Sequence, residues 1–309
     1  MKTILRKAII NLKKGELIAF PTETVYGLGA DAKNNEAINK IFSIKKRPRV
    51  NPLICHFYNA DKVKKEVIFN KNARILVSKF WPGPLTIILK KRKNSSISNL
   101  VTNGLDTLAC RVPSNKIALY LLKKFNGVIA APSANLSSKL TSTHKKHVLK
   151  SFGKNVLIID GGPSKYGLES TVIDLTKKNP IIVRPGAIES ERIKKILPNL
   201  KTMKLNNKKI ISPGQLNKHY SPNIPLRINV KRIKIGEVLL NFGKNNLKSK
   251  IKQLNLSYSA DLNEAANNLF TYLHILDNKR FKGIAVAPIT NKGIGKAIND
   301  RLKRASFNE

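Results

Sequence analysis

The segment Thr171-Val172-Ile173-Asp174-Leu175-Thr176-Lys177-Lys178-Asn179-Pro180-Ile181-Ile182-Val183-Arg184 carries two β-branched apolar runs on either side of a short polar turn. That pattern reads as a hairpin, which makes the two runs antiparallel neighbours. Around it, from Gly15 to about Leu200, short β-rich runs alternate with helical stretches, the texture of an α/β domain. The other strand candidates are Leu17–Phe20, Pro52–Phe57, Leu85–Leu89, Thr107–Val112, Val128–Ala131 and Val156–Asp160. Helices fit over Thr3–Lys13, Glu36–Ile44, Lys71–Phe80, Lys116–Phe125 and Glu189–Leu197. An α/β chain with a hairpin in its sheet is expected to build a mixed sheet and not a purely parallel one.

Beyond the hairpin the texture breaks over Lys201–Pro225, where Ser212-Pro213-Gly214 and Ser221-Pro222-Asn223-Ile224-Pro225 read as a linker. Strand runs Glu237–Phe242 and Gly283–Ile289 follow, with a long helical stretch Asp261–Leu276 between them and a last helix near Gly295–Ala305. A small βα-type second domain fits, and the length of 309 residues agrees with two domains. No internal repeat is present.

A hydrophobic content of 41% with 25% charged residues is ordinary globular material. No apolar run reaches the roughly 18–20 residues that cross a bilayer, and Met1–Lys14 mixes charge into its apolar stretch, so a cytoplasmic protein without membrane contact is expected. Cys55 and Cys110 belong to no C-x-x-C pair, which excludes a disulfide scaffold and a thiolate zinc site. Against 18 acidic residues stand 58 basic ones, a net charge of +40. Such a surface attracts polyanions, nucleic acid included. Lys, Asn and Ile are frequent everywhere, however, as in an AT-biased coding sequence, and the basic stretches do not interleave aromatics as a single-strand binder's do.

Gly27-Leu28-Gly29-Ala30-Asp31-Ala32 imitates a dinucleotide fingerprint, but six residues separate it from Phe20 and the region near position 50 is basic. No G-x-x-x-x-G-K-[ST] loop occurs, and the histidines form no metal spacing beyond one H-x-x-H, so they are assigned to surface or loop positions, with no metal-ligating set. Polar clusters gather at strand ends instead. Pro21-Thr22-Glu23-Thr24 follows the first strand, Lys45-Lys46-Arg47-Pro48-Arg49 precedes Asn51-Pro52-Leu53-Ile54-Cys55-His56, and Ala131-Pro132-Ser133-Ala134-Asn135 and Gly167-Leu168-Glu169-Ser170-Thr171 end or begin others. Arg111 and Arg184 each close an apolar run, and an arginine beside a buried strand needs an anion, from the protein or from a ligand. With so few acids in the chain, a ligand anion is favoured. No Ser–His–Asp or paired-acid arrangement is legible. The residues describe a cationic site for a phosphorylated ligand, working by positioning and charge neutralisation as in phosphoryl or nucleotidyl transfer.

In this order the clusters resemble the threonylcarbamoyl-AMP synthase family in its long form, a YrdC-like domain followed by a linker and a small C-terminal domain. Trp81-Pro82-Gly83-Pro84-Leu85-Thr86, Gly104-Leu105-Asp106-Thr107, Arg184-Pro185-Gly186 and His219-Tyr220-Ser221-Pro222 add to the resemblance, which covers nearly the whole chain. It implies a twisted mixed sheet with a basic concave face over residues 1–205, a linker or lid over 206–225, and a shortened Rossmann-like domain over 226–309. Ser221 stands where the family usually has Ala. The implied activity condenses L-threonine, bicarbonate or CO2, and ATP into threonylcarbamoyl-AMP and pyrophosphate. Downstream threonylcarbamoyl-transferase proteins would then modify the adenosine beside the anticodon of tRNA.

Carried over position by position, the resemblance implies threonine contacts at Thr24, His56, Arg111, Ala131 and Ser170, with Arg111 meeting the carboxylate. It implies ATP contacts at Lys45, Asn51, Thr107, Ser133, Thr141, Arg184 and Tyr220, with Lys45 and Arg47 as the catalytic cations and magnesium carried on the triphosphate. Two rivals stay open at this point: a non-catalytic basic-cleft protein that binds double-stranded RNA or tRNA, and a relative that uses carbamoyl phosphate. For an enzyme, RNA binding is expected to be weak and non-specific at most.

Overall fold

The computed structural model describes residues 1–203 and 219–307; the expected linker up to residue 218, Ser212-Pro213-Gly214 included, lies outside them. Strands β1 (Ile18–Phe20), β2 (Gly27–Asp31), β3 (Ile54–His56), β4 (Leu85–Lys90), β5 (Thr107–Arg111), β6 (Ile129–Ala130), β7 (Leu157–Ile158), β8 (Thr171–Asp174), β9 (Ile181–Arg184) and β10 (Lys201–Thr202) form one sheet. Their order is β10-β9-β8-β4-β5-β3-β6-β2-β1-β7. The expected hairpin is present, with β8 antiparallel to β9 and Val172 opposite Arg184. Parallel pairs β8–β4, β5–β3 and β1–β7 make the sheet mixed.

Alternation along each strand sends one set of side chains into the main core, among them Cys55, Ile87, Leu89, Cys110 and Ile173, packed against Ile38 and Ile41 of helix Asn35–Lys45 and Leu76 of helix Lys71–Phe80. On the other face, helices Lys2–Lys13 and Lys116–Phe125 cover only one end, where Leu5, Leu12 and Leu121 meet Ile18, Phe20 and Ile129. Toward the hairpin the same face carries an apolar patch of Ile54, Ile88, Ala109, Val172 and Val183, which no helical residue joins among those described. Strand directions decide what surrounds that patch. Because β3, β5 and β9 run one way and β4 and β8 the other, the C-terminal ends of the first three lie beside the N-terminal ends of the last two. His56, Arg111, Arg184, Thr86 and Ser170 therefore share one edge.

A second sheet, parallel throughout, has the order β11-β14-β12-β13 from β11 (Leu226–Arg227), β12 (Glu237–Asn241), β13 (Gln253–Asn255) and β14 (Gly283–Val286). Helices Leu262–Leu276 and Gly295–Ala305 cover it through Leu269, Phe270, Leu273, Ile298 and Leu302. The two units touch closely. Gly167 has a left-handed φ of 65° and approaches the 262–276 helix so tightly that a Cβ there would lie 2.6 Å from the Ala266 carbonyl oxygen. Leu140, Leu168 and Tyr220 pack into the second unit's core.

The imitation fingerprint at Gly27–Asp31 is strand β2, antiparallel to both β1 and β6. Glycine's poor strand preference hides it in the sequence, yet packing requires glycine here. A Cβ on Gly29 would sit 2.8 Å from Ile129 Cγ2 and from the Phe20 ring. Helix Lys145–Phe152 is another element absent from the sequence reading, and the helix expected over Glu189–Leu197 shortens to Ser190–Lys194. Replacing Gly29 by Ala is expected to cost about 1–3 kcal/mol through overpacking against Phe20. An unchanged melting temperature would contradict the packing role.

Candidate active site

A cleft opens at the shared strand edge. Thr24, Arg47, His56, Arg111, Ala131, Ser133, Ser170, Arg184 and Tyr220, all named from the sequence, line it together with Thr22, Glu169 and His219. Lys45, Asn51, Thr107 and Thr141 do not line it directly.

Thr24 is reached from the chain that leaves β1. Pro21 ends that strand, and the Thr22 hydroxyl caps the following turn by donating to the Val25 carbonyl at 2.6 Å. Arg111, the last residue of β5, donates to Glu23 at 2.6 Å, to the Thr24 hydroxyl at 2.8 Å and to the Gly83 carbonyl at 3.3 Å. The preference for a ligand as the sole anion at Arg111 is corrected, since a protein carboxylate already partners it and a ligand there would share the guanidinium with Glu23. Burial pushes the Glu23 carboxyl up, but Arg111 outweighs burial and holds it below the ordinary range. Glu23 lies one residue from Thr24 and 88 residues from Arg111, a separation that hides the pair from any sequence reading.

Across the cleft, Ser170 shares a 2.7 Å hydrogen bond with Thr86. Arg184, at the end of β9, donates to the Ser170 carbonyl at 2.8 Å and to its hydroxyl at 3.1 Å. Glu169 lies between the two units: Thr141 donates to its Oε1 at 2.7 Å, and Arg301 of the last helix donates to its Oε2 at 3.0 Å. Glu169 and Arg301 are the functional candidates that the sequence reading missed. Their 132-residue separation leaves no local signal.

The basic cluster closes a third side. Helix Asn35–Lys45 ends with Lys46 in a left-handed cap at φ 51°, and Pro48 prevents its continuation. Arg47 folds back to donate to the Asn51 and Pro52 carbonyls, both at 3.1 Å. Lys45 donates to the carbonyls of Ser133 and Asn135, pinning the loop that carries Ser133. Burial and then the neighbouring Arg47 charge push Lys45 well below its usual value, and burial draws Arg47 down to about 9, with Tyr220 opposing and Arg184 adding to the shift.

Three histidines assigned to surface or loop positions are buried instead. His56 is in β3, its ring meeting Phe20 edge-on at 5.8 Å; His147 stacks on His274 at 3.9 Å between the units; His219 lies 4.0 Å from the Tyr220 ring in the cleft. His56 Nδ1, His219 Nδ1 and both amide atoms of Asn51 are buried with no hydrogen-bond partner among the described residues. Orphaned polar atoms beside cations suit a polar, anionic ligand. Thr107 occupies the far end of the same sheet face, roughly 13 Å along β5 from Arg111. It lines a second recess with Asp106, Asp174 and Ile181, and the apolar patch lies between the two recesses.

A family model described as "Telomere recombination", for Sua5, YciO and YrdC, matches residues 11–186, and one described as "Threonylcarbamoyl-AMP synthase, C-terminal domain" matches residues 188–306. The threonylcarbamoyl-AMP synthase of Pyrococcus abyssi is 38% identical over 96% of this chain and 92% of its own. That of Bacillus subtilis is 37% identical over 98% and 92%. The crystal structure of P. abyssi Sua5 complexed with L-threonine superposes with a TM-score of 0.91 at 34% identity, covering 98% of this chain and 94% of that one.

Burial sets an acid limit on the fold. It lowers His56, His147 and His219 from an ordinary 6.5 to about 3, so between these values the unfolded chain binds protons that the folded chain does not. Stability is expected to fall by about 1.4 kcal/mol per histidine for each pH unit below about 6.5. The low-lying Glu23 and Glu169 add to the loss only below their ordinary 4.5. Melting followed from pH 7 to pH 5 checks this, and a flat profile would contradict the neutral buried rings.

Proposed function

Since the chain belongs to the threonylcarbamoyl-AMP synthase family, in the form with a C-terminal domain, we propose that it joins L-threonine, bicarbonate or CO2, and ATP into threonylcarbamoyl-AMP and pyrophosphate. It is an enzyme of the nucleotidyltransferase kind. The observation that carries the substrate layout is the convergence of Arg111, Arg184 and Arg47 on one cleft at the sheet edge.

In this layout the threonine carboxylate takes the side of Arg111 and Thr24, its methyl group meets Ala131, and His56 and Ser170 close around its polar atoms. The triphosphate lies between Arg47 and Arg184 with Ser133 beneath it. The nucleoside extends along the sheet face toward Thr107, and Tyr220 covers the near side. Asn51 presents its buried amide from behind the basic loop. Lys45 acts by fixing the Ser133 loop and adding charge, and Thr141 acts through its bond to Glu169.

The threonine amine adds to CO2 and yields its proton to solvent, which leaves a carbamate anion. A carbamate oxygen then attacks the α-phosphorus, the bond to the bridging β-phosphate oxygen breaks, and pyrophosphate departs with the electron pair. An anionic nucleophile needs no general base. What opposes its approach is repulsion between two anions, which fixed guanidinium groups in a water-poor cleft counter. Magnesium would be carried on the triphosphate and would neutralise part of its charge. Both oxygens of Glu169 are already engaged by Thr141 and Arg301, so this carboxylate suits a mainly water-ligated ion better than a protein-held one. The mixed anhydride passes to transferase proteins acting on tRNA, and Tyr220 at the cleft wall helps to shield it from hydrolysis.

Pyrophosphate is expected only when ATP, threonine and bicarbonate are supplied together, and ATP turnover indifferent to threonine would contradict the reading. Arg184→Met is expected to cost about 1.5–3 kcal/mol in ATP binding, measured by calorimetry, because a charge-assisted contact is lost.

A further inference from the structure

Arg301 lines no part of the cleft, yet it is among the largest fully buried side chains of the protein, at 1% exposure. It projects from helix Gly295–Ala305 of the second unit toward the first. Its Nε donates to Glu169 at 3.0 Å, its Nη1 to Asp300 at 2.8 Å, and its guanidinium carbon sits 5.2 Å from the centroid of the Tyr220 ring. Tyr220 is held at φ 63°, a left-handed conformation that a bulky residue adopts only when its surroundings enforce it. Its ring is wedged between Arg301 and Phe270, both on helices of the second unit.

Among the described residues, Glu169 is the one carboxylate lining a cleft whose other charged members are Arg47, Arg111 and Arg184. A carboxylate without a partner there would repel the phosphate oxygens. Burial pushes Glu169 up, but Arg301 and Arg184 together hold it below its ordinary value and keep it ionised, so its charge has to be met by a partner. Arg301 meets it from the side away from the cleft.

We infer that Arg301 is a positioning residue for ATP: it seats Tyr220 at the cleft wall and engages Glu169, so that this carboxylate does not oppose the phosphates in the cleft. The inference rests on the proposed function. It gives the second unit a part in catalysis although that unit's core lies outside the large sheet.

Calorimetric titrations of ATP and of L-threonine against the full chain and its variants test this, with melting temperatures recorded for each. Arg301→Met is expected to weaken ATP binding by about tenfold or more, while threonine binding shifts less than about twofold, because Thr24, His56 and Arg111 do not touch Arg301. Arg301→Lys, which keeps the charge, is expected to retain most of the affinity. Adding Glu169→Gln to Arg301→Met removes the uncompensated carboxylate and is expected to recover a substantial part of the lost ATP affinity. If Arg301→Met alone does not fold, the neutralised double variant and Arg301→Lys carry the comparison. Equal losses for both ligands, undiminished ATP affinity in a folded variant, or no recovery in the double variant would overturn the inference. Failure of the unsubstituted chain to bind ATP would instead sink the proposed function.

Discussion

Taking cations out of water is the constraint on which the rest of this structure depends. Arg111, Arg184, Arg47 and Lys45 lie at one edge of the large sheet with almost no exposure, and a charge so placed is tolerable only when other groups answer it. Glu23 answers Arg111. The carbonyls of Ser133, Asn135, Asn51 and Pro52 answer Lys45 and Arg47, and Ser170 takes the hydrogen bonds of Arg184. These contacts also fix the loops that shape the cleft, so the groups that would hold substrate and the groups that hold the fold are largely the same. Neutral carbonyls and hydroxyls satisfy hydrogen bonds without cancelling charge, which leaves a positive field in the cleft suited to a triphosphate and a carbamate.

The second unit enters through that electrostatics. Glu169 is tied to Thr141 in the first unit and to Arg301 in the second, and Tyr220 is packed into the second unit's core while its ring borders the cleft. Gly167, two residues before Glu169, has no side chain to separate it from the Leu262–Leu276 helix. Docking of the units and completion of the cleft are therefore coupled, and a chain lacking the last helix would leave Glu169 without Arg301 and Tyr220 without one of its supports.

Much of this was legible from local pattern. The hairpin at Thr171–Arg184 fixed the mixed sheet, since its polar turn and β-branched runs act over only fourteen residues. The strand-end clusters led to the cleft because a residue that ends a buried run is placed at a sheet edge by the run itself. Pairings across distance were hidden. Glu23 with Arg111 and Glu169 with Arg301 depend on which strand ends and helices become neighbours, and single-chain spacing does not encode that. The few acids of the chain made a ligand partner for Arg111 attractive, whereas one of those few, Glu23, meets it. Histidines misled for a related reason, because a neutral imidazole packs in a core as readily as it faces solvent. Glycine in β2 misled by propensity, where the Phe20 ring decides.

The central claim, that the buried cations of the cleft are matched to phosphate, is tested most directly by melting the full chain with ATP or with AMP at the same concentration. A ligand that binds only the folded state raises the melting temperature, the more so the tighter it binds at a given concentration. Because the β- and γ-phosphates supply the anions, ATP is predicted to raise it by several degrees and AMP by far less. An AMP shift equal to or greater than that of ATP would contradict the account.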